Sequence, residues 1–152
     1  GRHRRVVEMA LASGRQFSVI GRGWEGQLPP EIWESEGVPN ERLASVYRSS
    51  RYVLADHWPE MAEEGFIQNR IFDAVACGCK VISDQVPGIK EIFGDAVQTY
   101  SSQTELEALL SGEGDHLFPS DSEMLEISHE ILRNHTFDSR VRQILDDVAR
   151  VF

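Results

Sequence analysis

The sequence predicts an α/β domain: a Rossmann-like parallel β-sheet with helices on both faces. Three observations predict it. Short apolar runs recur along the chain, and most are followed by segments whose apolar residues fall at helical spacing. The runs are nearly continuous in apolar character, as strands buried on both faces are. Several end in polar or glycine-containing turns, which a parallel sheet of this kind gathers along one edge.

The elements follow in order. Residues 4–13 carry Val6, Val7, Met9, Ala10 and Leu11 at helical spacing, with Gly14 as the stop. Residues 17–20 form the first strand, and Gly21-Arg22-Gly23-Trp24 is its turn. Pro29 and Pro30 mark a loop, and Ile32-Trp33 a second short strand. Pro39-Asn40-Glu41 opens a helix that buries Leu43, Val46 and Tyr47. Tyr52-Val53-Leu54-Ala55 is the third strand, ending at Asp56-His57-Trp58-Pro59. A helix over residues 68–77 leads into the strand Lys80-Val81-Ile82-Ser83. Pro87-Gly88 breaks the chain before a helical turn over 89–93, and residues 96–100 form a fifth strand. Helices over 104–110, 122–132 and 138–152 complete the chain.

A length of 152 residues suits one domain, here residues 1–152. Charged and hydrophobic fractions of 26% and 41% fit a soluble globular protein. A net charge of −10 argues against a nucleic-acid partner, although the start, Gly1-Arg2-His3-Arg4-Arg5, is locally basic. No apolar run approaches the ~18 residues of a transmembrane helix, and no signal peptide is visible. The chain opens without methionine, so the expectation is a piece of a larger protein. Cys77 and Cys79 flank Gly78, too close for an unstrained bridge, and read as reduced packing thiols of a cytoplasmic protein.

The candidate site lies at the strand ends. Gly21-Arg22-Gly23, Asp56-His57-Trp58 and Ser83-Asp84 follow three strands, and ligands of open parallel sheets bind at carboxyl ends. The helix beginning near Gln68 follows Gly65-Phe66-Ile67. Its first amides lack partners within the helix and carry partial positive charge, so its mouth suits a phosphate. Gly65 permits close backbone approach, and Asn69 and Asp73 are four apart, on one face. Arg70 offers a planar, permanently charged donor. On residue types alone, Asp73 also serves as a helix-dipole partner, Arg70 as a solvated side chain and Asn69 as a cap.

Gly21, Gly23 and Gly26 give the string G-R-G-W-E-G, but Pro29 and Pro30 prevent the long helix that a dinucleotide site requires. A tight turn lining the crevice, or a plain loop, is left. Asp56-His57 reads as an acid–base pair, as metal ligands or as a hydrogen-bonded structural histidine; no second histidine stands at ligand spacing. His129 and His135 read as surface residues. There is no nucleophile elbow and no phosphate-loop lysine motif.

Taken together, "VLADHWPEMAEEGFIQNRIFDAVACGCKVISDQVPGIKEIFG" resembles the carboxyl-terminal domain of GT-B glycosyltransferases, in the CgeB-like group of the "glycosyl transferases group 1" superfamily. The resemblance extends from the strand ending at Gly21 to "NHTFDSRVRQIL". It implies a two-domain enzyme in which this domain binds a nucleoside-diphosphate sugar, chiefly a UDP-sugar, and a missing amino-terminal domain holds the acceptor. Asp73 stands where the family usually has a glutamate on the ribose hydroxyls. Gly65, Phe66, Ile67, Asn69 and Arg70 match the loop and helix start near the diphosphate and sugar. Gly21 and Gly23 match the glycine turn, and His57, in the turn after the third strand, is expected among the donor-binding residues. The catalytic contributions are expected from Arg70 and from Glu64, the first of the family's acidic pair. Glu64 and Asp73 are separated by eight residues where many relatives have seven.

The resemblance implies a cytoplasmic role in polysaccharide or glycoconjugate synthesis, with any tie to the inner face of a membrane made by the rest of the protein. No cofactor is expected to be tightly bound. The absence of an Asp-x-Asp motif suggests metal-independent departure of the donor's nucleotide. The isolated domain is expected to be inactive. The competing reading is a non-catalytic Rossmann-like module for binding or regulation.

Overall fold

A computed structural model of the chain describes residues 4–151. Gly1, Arg2 and His3 of the basic start, and Phe152 of the predicted last helix, lie outside the described residues. The elements run α1 (Arg5–Ala12), β1 (Val19–Ile20), β2 (Trp33–Ser35), α2 (Asn40–Ser49), β3 (Tyr52–Ala55), α3 (Pro59–Glu63), α4 (Asn69–Ala76) and β4 (Lys80–Asp84). They continue with α5 (Ile89–Phe93), β5 (Val97–Tyr100), α6 (Gln103–Ser111), α7 (Asp121–Asn134) and α8 (Phe137–Val151).

Strands β3, β4 and β5 form a parallel sheet in that order, pairing Ala55 with Ser83 and Asp84 with Tyr100 at the carboxyl ends. Successive residues of a strand point to opposite faces, and β4 serves two cores accordingly. Val81 joins Ile71, Val75, Ile89 and Phe93, beneath α4 and α5. Ile82 joins Val6, Met9 and Leu106, from α1 and α6. Helices thus cover both faces, as expected of a Rossmann-like domain. Burying each such side chain contributes roughly 1.5–3 kcal/mol, which is why an apolar run of four or five residues suffices to define a strand here.

The five strands divide between two sheets. β1 pairs in parallel with β2, with a register shift between Val19 and Ile20. β1 is two residues long; the Val19 amide donates to the Ile32 carbonyl and the Gly21 amide to that of Ser35, at 2.8 and 2.9 Å. The turn carrying Gly21 and Gly23 therefore belongs to the smaller sheet, where the Trp33 indole donates to the Gly21 carbonyl at 2.9 Å.

Helix α4 buries Ile71, Ala74 and Val75 completely. It stops because Gly78 takes the left-handed conformation (φ 79°), letting the Cys79 amide reach back to the Ala74 carbonyl at 2.9 Å. Helix α7 lies along it, and the Ser128 hydroxyl donates to the Ala76 carbonyl at 2.6 Å. Both cysteines are free thiols, and burial pushes the Cys79 thiol up to about 11. Among the described residues no helix is long and apolar enough to cross a membrane.

Candidate functional site

The register of β3 against β4 sets the geometry of the site. Ala55 pairs with Ser83, so the residues leaving β3 arrive beside Asp84 at the end of β4. The His57 amide donates to Asp84 Oδ2 at 2.9 Å, and His57 Nδ1 lies 2.6 Å from Asp84 Oδ1. The Ser83 hydroxyl donates to the same Oδ1 at 3.1 Å. On its other side, His57 Nε2 accepts the Gln68 amide at 3.1 Å. A ring nitrogen that accepts an N–H carries no proton, so this network assigns the proton to Nδ1, facing Asp84. The Gln68 side chain donates to the Asp56 carbonyl at 3.1 Å. His57, its side chain fully buried, thus ties the residue that leads into α4 to the ends of two strands.

Asp56 is held differently. Burial pushes its carboxyl above the ordinary range, opposed by the Val6 amide and the Arg4 guanidinium. Arg4 Nη1 sits 3.3 Å from Asp56 Oδ1, and the guanidinium lies 4.4 Å over the Trp58 ring. The start of α1 is thereby clamped to the end of β3.

Gly65 follows α3 in a left-handed conformation (φ 71°) that a side chain would strain. Beyond it, a groove of about 600 Å³ runs along α4 from Asn69 to Ala76, facing Ile131 and Leu132 of α7 and the turn from α7 to α8. Gly65, Phe66, Ile67, Asn69 and Asp73 all line it. Five of the sequence-predicted residues therefore converge, with Asn69 and Asp73 on one face as their spacing required. His57 lies beneath, joined through Gln68. Arg70, its charge acting on Tyr47 of α2, does not line the groove, although it still counteracts the burial that raises the Asp73 carboxyl. Glu64 is exposed at the end of α3, and Gly21 and Gly23 stay in the β1–β2 turn.

The opposite wall supplies residues the sequence reading missed: His135, Thr136, Phe137 and Arg140. His135, expected at the surface, is half-buried with its ring 5.5 Å from that of Phe72. The Ser139 amide donates to Thr136 Oγ1 at 3.2 Å, capping α8. Arg140 Nη2 lies 3.1 Å from His135 Nδ1. Burial, and after it Arg140, hold His135 below the usual histidine range, so it stays neutral and accepts this bond. A Thr-x-x-Ser string at a helix start was the available signal, but it reads as a cap and not as a pocket wall.

Two other hollows fit the requirements less well. One, about 400 Å³, is lined by Tyr52 and Lys80, the first residues of β3 and β4, and so opens at the amino ends of the strands. The other, about 760 Å³, sets Asp95, Glu123, Glu126 and Glu130 against Arg133, an acidic balance ill suited to an anionic ligand. Among the described residues no group of histidine, cysteine and carboxylate side chains is placed to hold a metal ion.

The fold is that of a Rossmann-like α/β domain, with a groove of mixed polar and aromatic lining along α4. The sequence model of the glycosyl transferase-like family matches residues 2–146, and the chain belongs to that family. Membership gives the chain a role in glycosyl transfer. No curated protein and no solved structure matches it.

Proposed function

We propose that the chain is the donor-binding domain of a two-domain glycosyltransferase, and that the groove along α4 receives a nucleoside-diphosphate sugar, with UDP the first nucleotide to test. The carrying observation is the convergence of Gly65, Phe66, Ile67, Asn69 and Asp73 on one groove along α4. Asp73 accepts the ribose hydroxyls. The loop before α4 and the first amides of that helix face the diphosphate, where negative charge grows as the sugar departs. His57 acts one step back, fixing the Gln68 amide and with it the entry of α4. Arg70 and Glu64, outside the groove lining, would act from its flanks on a ligand extending past α4. The acceptor is held by a second domain, and the chain alone binds donor but transfers sugar poorly. With no Asp-x-Asp motif, donor binding is expected to be insensitive to EDTA.

The experiment is thermal denaturation with and without saturating UDP. UDP raises the melting temperature, and Asp73→Ala removes most of the increase, since a lost hydrogen bond to a charged group costs roughly 1.5–3 kcal/mol. Melting curves unmoved by UDP, GDP and their sugars would overturn the reading. The position of Arg70 and Glu64 outside the groove lining favours the second reading, a binding module without catalysis. A transfer assay on the chain joined to an acceptor domain separates the two, because only the enzyme turns over.

A further inference from the structure

We propose that Arg140, held in place by His135, supplies the positive charge that pairs with the phosphate of a nucleotide in the α4 groove. The inference rests on the groove being the donor site, and adds the residue that reads the phosphate.

The groove lining holds one carboxylate, Asp73, and one permanent cation, Arg140. A chain of net charge −10 repels an anionic ligand in general, so a phosphate site on it requires a local cation. Arg70, one turn before Asp73 on α4, lies outside that lining. Arg140 faces the groove, and its side-chain hydrogen bond goes to a ring nitrogen of His135 at 3.1 Å. That partner matters. A carboxylate would neutralise the guanidinium, whereas a neutral imidazole orients it and leaves its charge whole. Guanidinium only donates, so His135 Nδ1 must be the acceptor and Nε2 carries the ring proton.

The backbone beneath is equally fixed. The Arg140 amide donates to the Thr136 carbonyl at 3.0 Å, and Thr136 caps the first turn of α8. His135 packs on Phe72 of α4, the residue preceding Asp73. Phe72 thus links the cation on one wall to the carboxylate on the other. A ligand that satisfies both carries hydroxyls for Asp73 and an anionic group for Arg140, which is the chemistry of a nucleoside phosphate. Arg has more donors than the single bond to His135 uses, so a bidentate phosphate contact remains open to it.

The test is calorimetric titration of the chain with UDP, with GDP and with uridine. Wild type binds UDP more tightly than uridine, and added salt weakens UDP binding. Arg140→Gln lowers UDP affinity about tenfold or more, leaves uridine affinity unchanged and flattens the salt dependence. His135→Ala shows a smaller loss of the same kind, and His135→Gln recovers part of it by restoring a neutral acceptor. If Arg140→Gln keeps the wild-type preference for UDP over uridine, the assignment of Arg140 is overturned while the groove stands as donor site. If wild type binds neither diphosphate, both readings fall together.

Discussion

Helices α4 and α8 are built on the same pattern and meet different fates. Helix α4, eight residues long, has Ile71, Ala74 and Val75 fully out of solvent. Helix α8, fifteen residues long, repeats its apolar residues as regularly, at Val141, Ile144, Leu145, Val148 and Val151. It buries none of them; their exposures run from 50% to 76%. Periodicity states which face of a helix is apolar and says nothing of what covers it. α4 is covered because β3, β4, α2 and α7 lie against it, while its remaining face, with Asn69, Phe72, Asp73 and Ala76, lines the groove. α8 turns only its first turn, through Phe137 and Arg140, to that groove.

The largest expected effect separates these two faces. Ile71→Ala should destabilise the chain by about 2–5 kcal/mol in chemical denaturation, through lost burial and the cavity left behind. Ile144→Ala should cost less than about 0.5 kcal/mol, as an exposed substitution does. Equal costs would break the comparison and would mean that the face of α8 is covered in solution.

Next comes the latch beneath α4. His57→Ala removes the imidazole between Asp84 Oδ1 and the Gln68 amide and leaves that amide without its acceptor, and should cost about 1–3 kcal/mol. His129→Ala, on the exposed side of α7, should leave the denaturation midpoint unchanged. Hydrogen exchange sharpens the contrast: the Gln68 amide should be protected in wild type and lose that protection in His57→Ala.

The smallest effect is in pH dependence, and it belongs to the turn between α7 and α8. Burial and Arg140 depress the folded pKa of His135, so the folded chain takes up its proton less readily than the unfolded chain does. The stability involved is therefore fully present above the unfolded value, about 6.5, and is lost as pH falls through the folded one. Asp56 and Asp73, raised by burial, act with the opposite sign: their contribution is whole below the unfolded carboxylate range and declines as pH rises through the folded pKa. Between pH 7 and 5.5 the melting temperature of His135→Gln should fall less steeply than that of wild type. Parallel slopes would show that His135 does not titrate as the groove geometry requires.

What could be read in the sequence was local. Lys80-Val81-Ile82 announces a strand, and Gly78 announces the end of α4, because a single run or a single backbone conformation decides each. The four-residue spacing of Asn69 and Asp73 placed both on one groove. Tertiary partners were not legible. Nothing near His57 indicates that its ring spans from Asp84 to Gln68, residues 27 and 11 positions away. Nothing near His135 indicates Phe72 as its neighbour, so a histidine lining the groove read as a surface one. Helix α3 was missed because five residues opened by Pro59 give too short a period to see. The division into two sheets was not legible either, because the pairing of β1 with β2 alone is set by tertiary contacts.

The central claim is one of location, and ligand-induced shifts of backbone amide resonances test it most directly. Saturating UDP should perturb the amides of 65–73 and of 135–140 together, the two walls of one groove, and leave those of 50–52 and 78–80 at the opposite strand ends unchanged. Perturbation confined to the opposite ends, or to the Gly21–Gly23 turn, would contradict it.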